Sequence, residues 1–513
     1  MKFINGIDPL DSAANRQMAA RLASQWKLTP ATFAHEISRH QWIPSKHLMY
    51  ISSRVAKGIA RGNARIIISA PPRHGKSQLT SIYTPAWVLE NFPHYKTIIT
   101  GYGADLVTGF SRQVRDLFTD QSNFGLLNTR IRKDASRVEQ FLTDQGGGVF
   151  AVGLGGAITG RGAHVLLIDD YIKEIKEALS PAYRDYIWNW FVTTAFTRLE
   201  PGGSCIIIAT RWHSDDLIGR ILKNLPEEGW EYIEIPAIAE ENDIIGRAVG
   251  EALFPERYPL KRLKELQVTL GSVFFKALFQ QKPVDESKKI TDRNWIQIIP
   301  EIDWIARKTH SWKRTRMWDF AATKDGGDYT TGTLLAYDIT TGNVYVENVI
   351  RRQMSPGQVE TCVAQTAAAD GYDVAVRIEQ EPGSSGKALV HHFATNVLKN
   401  YKVIPVPVVT NKIARAQPFI AAAEAGKIYC ILGGWNESFL KEFDEFPGSA
   451  HDDQVDTASA GYTELTGKVV YTAAWGRSGA SGSTRNSHAI EQASRENVVS
   501  FSTGRVTGAT FGR

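Results

Sequence analysis

Three consecutive isoleucines, Ile66-Ile67-Ile68, run directly into Ala70-Pro71-Pro72-Arg73-His74-Gly75-Lys76-Ser77. The apolar run predicts a buried strand over 65–69, and the apolar residues from Leu79 to Leu89 predict a helix. Strand, loop and helix in this order give a phosphate-binding loop of the form A-x-x-x-x-G-K-S, with Ala70 where a glycine is usual. Its backbone N–H groups converge at a helix N-terminus, where the dipole favours negative charge. A nucleoside triphosphate is therefore the expected ligand, cradled by Arg73, His74, Gly75, Lys76 and Ser77. Lys76 would reach the β and γ oxygens, and the Ser77 hydroxyl would hold Mg²⁺.

At 513 residues the chain is too long for one core, so two domains and a tail are expected. Net charge is +5, and the segment from Lys468 to Arg513 carries six basic and two acidic residues. Most of the excess thus sits on the tail, and a nucleic-acid site elsewhere must be a local patch. Cys205, Cys362 and Cys430 match no zinc or redox spacing and read as buried thiols of a reducing compartment. No apolar run is long enough to span a bilayer, and no signal-peptide pattern opens the chain.

The pattern predicts an α/β protein. Residues 1–64 read as a helical adapter region, with apolar spacing through Met18, Leu22 and Trp26. Residues 65–240 alternate strands (near 65–69, 97–102, 149–152, 165–168, 204–209 and 232–235) with helices, which implies a mainly parallel sheet. Residues 241–312 form a connector whose Phe274-Phe275 and Phe279-Gln280-Gln281 predict a packing helix. Residues 313–466 read β-β-β-α-β-α-β, the order of a ribonuclease-H-like domain, and residues 467–513 read as a flexible basic tail.

A phosphate loop needs a carboxylate strand, and Val165-Leu166-Leu167-Ile168-Asp169-Asp170 supplies one. Asp169 would orient Mg²⁺, and Asp170 would polarise the attacking water. Arg161, between Gly160 and Gly162, is a candidate arginine finger toward a neighbour; Arg73 is a candidate in cis. Thr210, ending the strand Ile206-Ile207-Ile208-Ala209, is placed to sense the phosphates. Trp42 and His47 are candidates to meet the adenine.

A second acidic set points to two-metal phosphodiester cleavage. Asp319 lies on the first strand of the later domain, and Glu379 ends its fourth, with Glu381 close behind. His451-Asp452-Asp453-Gln454-Val455-Asp456 opens a helix on which 453/456 and 452/456 share a face. Asp319, Glu379 and Asp453 are the metal candidates, with Asp452 as alternative third member and Asp328 as a further ligand. Lys387, Lys412 and Arg415 are candidate contacts to the DNA backbone.

With both constellations the chain resembles the large terminase subunit of tailed double-stranded DNA bacteriophages. The likeness spans about 35–465 and rests on the 70–77 loop, Gly160-Arg161-Gly162, Leu166 to Asp170, Thr210-Arg211-Trp212-His213, Phe279-Gln280-Gln281-Lys282-Pro283 and the 451–456 cluster. The resemblance implies an additional-strand ATPase joined to a ribonuclease-H-like nuclease, using ATP and Mg²⁺, with Mn²⁺ an alternative at the nuclease. It implies a packaging motor that drives duplex DNA into a procapsid and cuts concatemers. The implied partners are the portal protein, a small terminase subunit and copies of itself in a pentameric ring. The implied location is the host cytoplasm, with transient procapsid binding and none in the mature virion. It also implies Asp170 where the water-activating residue is usually Glu. The competing expectations are a cellular helicase or repair ATPase–nuclease and a catalytically inactive portal adapter.

Overall fold

The computed structural model describes residues 25–467, apart from 124, 159, 284, 286–288, 302, 305–311, 322–328, 409–410 and 450. Most of the expected adapter spacing, the tail beyond Gly467 and Asp328 lie outside these residues. Among the described residues the strands form two sheets, of eight and seven strands.

The first sheet holds β1 (Arg65–Ser69), β2 (Lys96–Gly101), β3 (Ile131–Ser136), β4 (Gln140–Thr143), β5 (Gly148–Gly153), β6 (Ala163–Asp169), β7 (Leu199–Ala209) and β8 (Glu231–Glu234). Their order is β3-β4-β5-β2-β6-β7-β1-β8. All neighbours from β5 to β8 are parallel; β3 and β4 are antiparallel additions. Ile66 to Ile68 and Val165 to Ile168 are buried on both faces, as continuous apolar runs of a covered parallel sheet should be.

The helix Lys46–Arg61 presents Leu48, Ile51, Val55 and Ile59 to the same hydrophobic cluster as Ile66 and Ile68. At about 2 kcal/mol per buried aliphatic side chain, this face ties the helix to the sheet. The helix after the loop starts as a π-helical stretch, Gln78–Tyr83, before regular α-helix Thr84–Asn91. Pro85 has no N–H to give the Ser81 carbonyl, and the Thr84 N–H bonds Leu79 instead, five residues back.

The second sheet holds β9 (Gln297–Ile299), β10 (Trp312–Asp319), β11 (Thr330–Asp338), β12 (Val344–Arg352), β13 (Ala375–Gln380), β14 (Val403–Pro407) and β15 (Ile428–Ile431). Its order is β14-β13-β10-β11-β12-β15-β9. β10 to β12 form an antiparallel meander, and β13, β14, β15 and β9 join in parallel. The helix Asp453–Thr466 crosses β10 and β11 with Gly461 against them. A Cβ at Gly461 would stand 2.2 Å from Leu335 Cδ1, so the absence of a side chain sets how close this helix lies.

The connector helix Leu260–Gln280 breaks at Gly271, whose φ is +73°. Phe274 and Ala277 from it pack into the core that contains Phe419, Phe443 and Tyr462. No helix among the described residues is long and apolar enough to cross a membrane.

Candidate active sites

Register decides where the first set of residues meets. Ser69 of β1 pairs with Ala209 of β7, and Ile208 of β7 pairs with Asp169 of β6. The carboxyl ends of three adjacent strands are therefore level, and the loop after β1, Thr210 and the two aspartates share one rim. Lys76 Nζ donates to Thr210 Oγ1 at 2.8 Å and lies 3.3 Å from Asp170 Oδ2. Ser77 Oγ donates to Asp169 Oδ1 at 3.0 Å, and Ser81 Oγ donates to the other Asp169 oxygen. Burial, then the charge of Asp170, pushes the Asp169 carboxyl up to about 7. A divalent cation, whose charge favours the carboxylate, would offset both effects.

Two non-glycine residues hold left-handed backbone here, Arg73 (φ +63°) and Asp170 (φ +44°). Such geometry costs on the order of 1 kcal/mol and collects at functional sites. At Asp170 it is fixed by three hydrogen bonds. Its N–H donates to Ile208 O (2.8 Å), its carbonyl accepts from Tyr102 N (2.9 Å), and its Oδ1 accepts from Thr210 N (3.0 Å).

His74 is buried and stacks on Tyr258 at 4.8 Å, with Nδ1 on the Pro72 carbonyl at 2.8 Å. His47 Nε2 donates to the His74 carbonyl at 2.8 Å. Burial lowers the two imidazoles to about 3 and about 4, so both are neutral braces of the loop. Trp42 packs edge-on against Tyr83. The two residues expected to meet adenine are thus both buried. Arg73 is exposed on the loop. Arg161 lies over the Phe150 ring at 3.8 Å and donates to Gln140 Oε1 at 2.6 Å. Phe150 is on β5, four strands from β1, or about 19 Å at the usual strand spacing.

A link runs from this rim to the connector. Arg211 N donates to Gln281 Oε1 at 3.3 Å, and Arg211 Nε donates to the buried Asp216 at 2.8 Å. Gln281 closes the connector helix in left-handed backbone (φ +59°). Ser272 N, just past the Gly271 break, donates to Glu424 Oε2 at 2.8 Å, and Gln417 Nε2 donates to the Leu270 carbonyl.

The second acidic set gathers at the carboxyl end of β10. Trp318 pairs with Ile378, so Asp319 and Glu379 are next in register on adjacent parallel strands. The first turn of helix Asp453–Thr466 brings Asp453 and Asp456 toward them. Burial, then Glu379, Asp453 and Asp456, pushes Asp319 up to about 7. Asp456 also rises to about 7, from burial and from Asp452 and Glu379, against the opposing pull of Arg415. Arg415 Nη1 donates to Glu379 Oε1 at 3.3 Å and Nη2 to Asp456 Oδ2 at 3.1 Å. Lys412 Nζ pairs with Asp452. Lys387 and Glu381 are exposed.

A divalent cation fits this donor set chemically. The ligands are carboxylate oxygens, mutually repelling and shielded from water, and Asp456 Oδ1 is buried without a hydrogen bond from any described residue. Among the described residues, however, no three acidic, His or Cys groups are drawn together closely enough to hold a metal.

One residue behind the cluster escaped the sequence reading altogether. Asp452 makes no side-chain cap for the helix that follows it. Glu442, from helix Asn436–Glu445, does so from outside: its Oε1 accepts from Gln454 N at 2.6 Å and Val455 N at 3.1 Å. Its Oε2 accepts from Gln454 Nε2 at 2.7 Å. Nothing in the local spacing at 451–456 points to a carboxylate on the preceding helix.

Comparison with known proteins follows this division. The family model described as "Terminase large subunit, T4likevirus-type, N-terminal" matches residues 67–298, and "Terminase RNaseH-like domain" matches residues 316–465. Together they take in well over half of the chain. This chain belongs to the large terminase family. It is a motor subunit of phage genome packaging, and the family carries ATPase and nuclease activity in general. Among solved structures it is similar to the large terminase of a thermophilic bacteriophage (12% identity, 79% of this chain and 95% of that one, TM-score 0.47). It is also similar to the large terminase of bacteriophage HK97 (11% identity, 78% and 91%, TM-score 0.32). A third similar structure is the nuclease domain of the bacteriophage SPP1 large terminase with bound Mn (10% identity, 34% and 99%, TM-score 0.26). No curated protein matches the chain.

Proposed function

We propose that this chain hydrolyses ATP at the rim of the first sheet and cuts duplex DNA at the acidic cluster of the second. In this reading 65–240 is the ATPase domain, 241–312 the connector and 313–466 the nuclease domain. The reading is carried by the level ends of β1, β7 and β6, which bring Lys76, Ser77, Asp169, Asp170 and Thr210 into one hydrogen-bonded set. Lys76 gives up its pairing with Asp170 to bind the β and γ phosphates. Ser77 and Asp169 would hold Mg²⁺, and Asp170 would polarise the attacking water. Arg73 acts in cis or Arg161 in trans on a neighbour's γ-phosphate; the separation of Arg161 from its own loop favours the neighbour.

Thr210 contacts Lys76 directly, and the next residue contacts Gln281 of the connector. Exchange of the Lys76 contacts for phosphate is thereby passed to the helix that meets the nuclease domain. At the second cluster Asp319, Glu379 and Asp453, with Asp452 as alternative, would hold Mg²⁺ or Mn²⁺. The cation would supply a Lewis acid and an activated water when bound. Lys387, Lys412 and Arg415 would contact DNA phosphates. The assembled form is a pentameric ring on the portal of a procapsid in the host cytoplasm, loaded by a small terminase subunit.

The test uses two variants of the full chain. Lys76→Ala should abolish ATP turnover with and without DNA and leave plasmid cleavage in Mn²⁺ intact; Asp319→Ala should do the reverse. Wild-type ATP turnover in the first, or undiminished cutting in the second, ends the corresponding assignment.

A further inference from the structure

The acids of the second cluster face one another yet are not drawn into a ligand set, and two cations stand among them. Both come from one helix, Lys412–Glu424. Arg415 spans Glu379 and Asp456, which sit on different elements, at 3.3 and 3.1 Å. Lys412, three residues earlier, takes Asp452 and lies 3.4 Å from the Pro447 carbonyl. Their position on the helix is informative. They occupy its first turn, where the helix dipole disfavours positive charge and where Asp or Glu would be stabilising. Helix stability does not explain cations there. The carboxylates they meet do.

Arg415 is also firmly placed. Asn411 Oδ1 caps the helix through Ile413 N at 2.8 Å. The helix is tied to the connector by Glu424 on Ser272 N and by Gln417 on the Leu270 carbonyl. The guanidinium is a planar fork, suited to bridging two carboxylates and later a phosphate.

We propose that Arg415, assisted by Lys412, is an internal counter-cation that occupies the acidic cluster in the resting chain and must be displaced before divalent metal can bind. Arg415 is thus a positioning residue for Glu379 and Asp456: its guanidinium holds these two carboxylates, which come from different elements, at 3.3 and 3.1 Å. Metal entry releases the guanidinium to the DNA phosphate that arrives with it. The nuclease is consequently held off by competition for its own ligands. This rests on the assignment of Asp319, Glu379 and Asp453 as the nuclease acids.

The experiment is Mn²⁺ titration of the nucleotide-free full chain, followed by the electron paramagnetic resonance of free Mn²⁺. Wild type, Arg415→Gln, Arg415→Lys, Lys412→Ala and Asp319→Ala are compared, with circular dichroism to verify folding. Arg415→Gln should bind Mn²⁺ on the order of tenfold tighter, since a competing positive charge is gone. Lys412→Ala should shift the same way by less, and Arg415→Lys should stay near wild type. The metal-free melting temperature of Arg415→Gln should fall and be regained with Mn²⁺. Unchanged or weaker Mn²⁺ binding by both Arg415→Gln and Lys412→Ala overturns the proposal, because a merely structural arginine would lower affinity when lost. Asp319→Ala separates the two levels of inference. If it leaves Mn²⁺ binding intact, the nuclease assignment fails; if it weakens binding while the cation variants do not strengthen it, only the counter-cation fails.

Discussion

Replacing Glu442 with alanine should cripple DNA cleavage without touching the residues that perform it. Glu442 is 5% exposed and supplies the acceptor for two backbone N–H groups at the start of helix Asp453–Thr466. Removing it leaves the N–H groups of Gln454 and Val455 buried without an acceptor, at ~1–3 kcal/mol each. A loss of about 3–4 kcal/mol is expected, read as a lower melting temperature. The first turn would loosen, and Asp453 and Asp456 would move with it. A displacement near 1 Å of a positioned group is enough to lose ~100-fold in rate.

The effect carries a pH signature. Burial raises the Glu442 carboxyl to about 7, from an ordinary value near 4.5. A folded-state value raised in this way gives stability that is full below the unfolded value and lost as pH rises toward 7. The destabilisation of Glu442→Ala relative to wild type should therefore be larger at pH 5 than at pH 8. Glu442→Gln keeps an acceptor oxygen, should retain most of the cleavage, and should lack that pH dependence. The assays are thermal melting and nicking of supercoiled plasmid in Mn²⁺, with ATP turnover as the control expected to stay within twofold. Wild-type cleavage by Glu442→Ala, together with a melting temperature within about 1 °C of wild type, would refute the cap argument.

Three other outcomes are expected. Asp169, Asp319 and Asp456 all titrate near 7 when folded and near 4 when unfolded, so the folded chain binds more protons between these values. Stability without divalent cations should fall from pH 5 to pH 7.5, by up to about 1 kcal/mol per pH unit for each group, and Mn²⁺ should flatten the slope in melting curves. Ser81→Ala removes one of the two hydroxyls on Asp169 and should lower steady-state ATP turnover on the order of tenfold; unchanged turnover would mean that Ser77 alone orients the carboxylate. Gln281→Ala cuts the contact between Arg211 and the connector and should uncouple the motor, leaving ATP turnover within twofold while DNA packaged per ATP falls; proportional loss of both would deny Gln281 that role.

Much of this architecture was legible because its central strands are apolar without interruption. Ile66-Ile67-Ile68 and Val165 to Ile168 can only be buried, and their polar ends mark the rim. Other strands were not legible. β3, Arg132-Lys133-Asp134 at its centre, is an exposed edge strand with no apolar alternation to betray it. β9 and β15 have three and four residues, too short for a periodic signal. The helix that carries Arg415 has Pro418 in its interior, which argues against a helix in any local reading and is accommodated by packing of Phe419 and Ile420. At the sites, residues adjacent in sequence to a strand end were found; Ser81 and Glu442 were not, since their roles arise from contacts across the fold, and Gln281 was legible only as part of a packing helix. Arg415 was read as a DNA contact from its charge, and its carboxylate partners became visible only with the helix in place.

The central claim is that two separate acidic centres, one at each sheet, serve one chain. A crystal structure of the full chain with a non-hydrolysable ATP analogue and Mn²⁺, with metals located by anomalous scattering, tests it most directly. The account predicts the triphosphate in the 70–77 loop with one Mn²⁺ against Ser77 and Asp169, and further Mn²⁺ at Asp319, Glu379 and Asp453 with Arg415 turned away. Manganese absent from either centre, with the nucleotide site occupied and Mn²⁺ in excess, would contradict it.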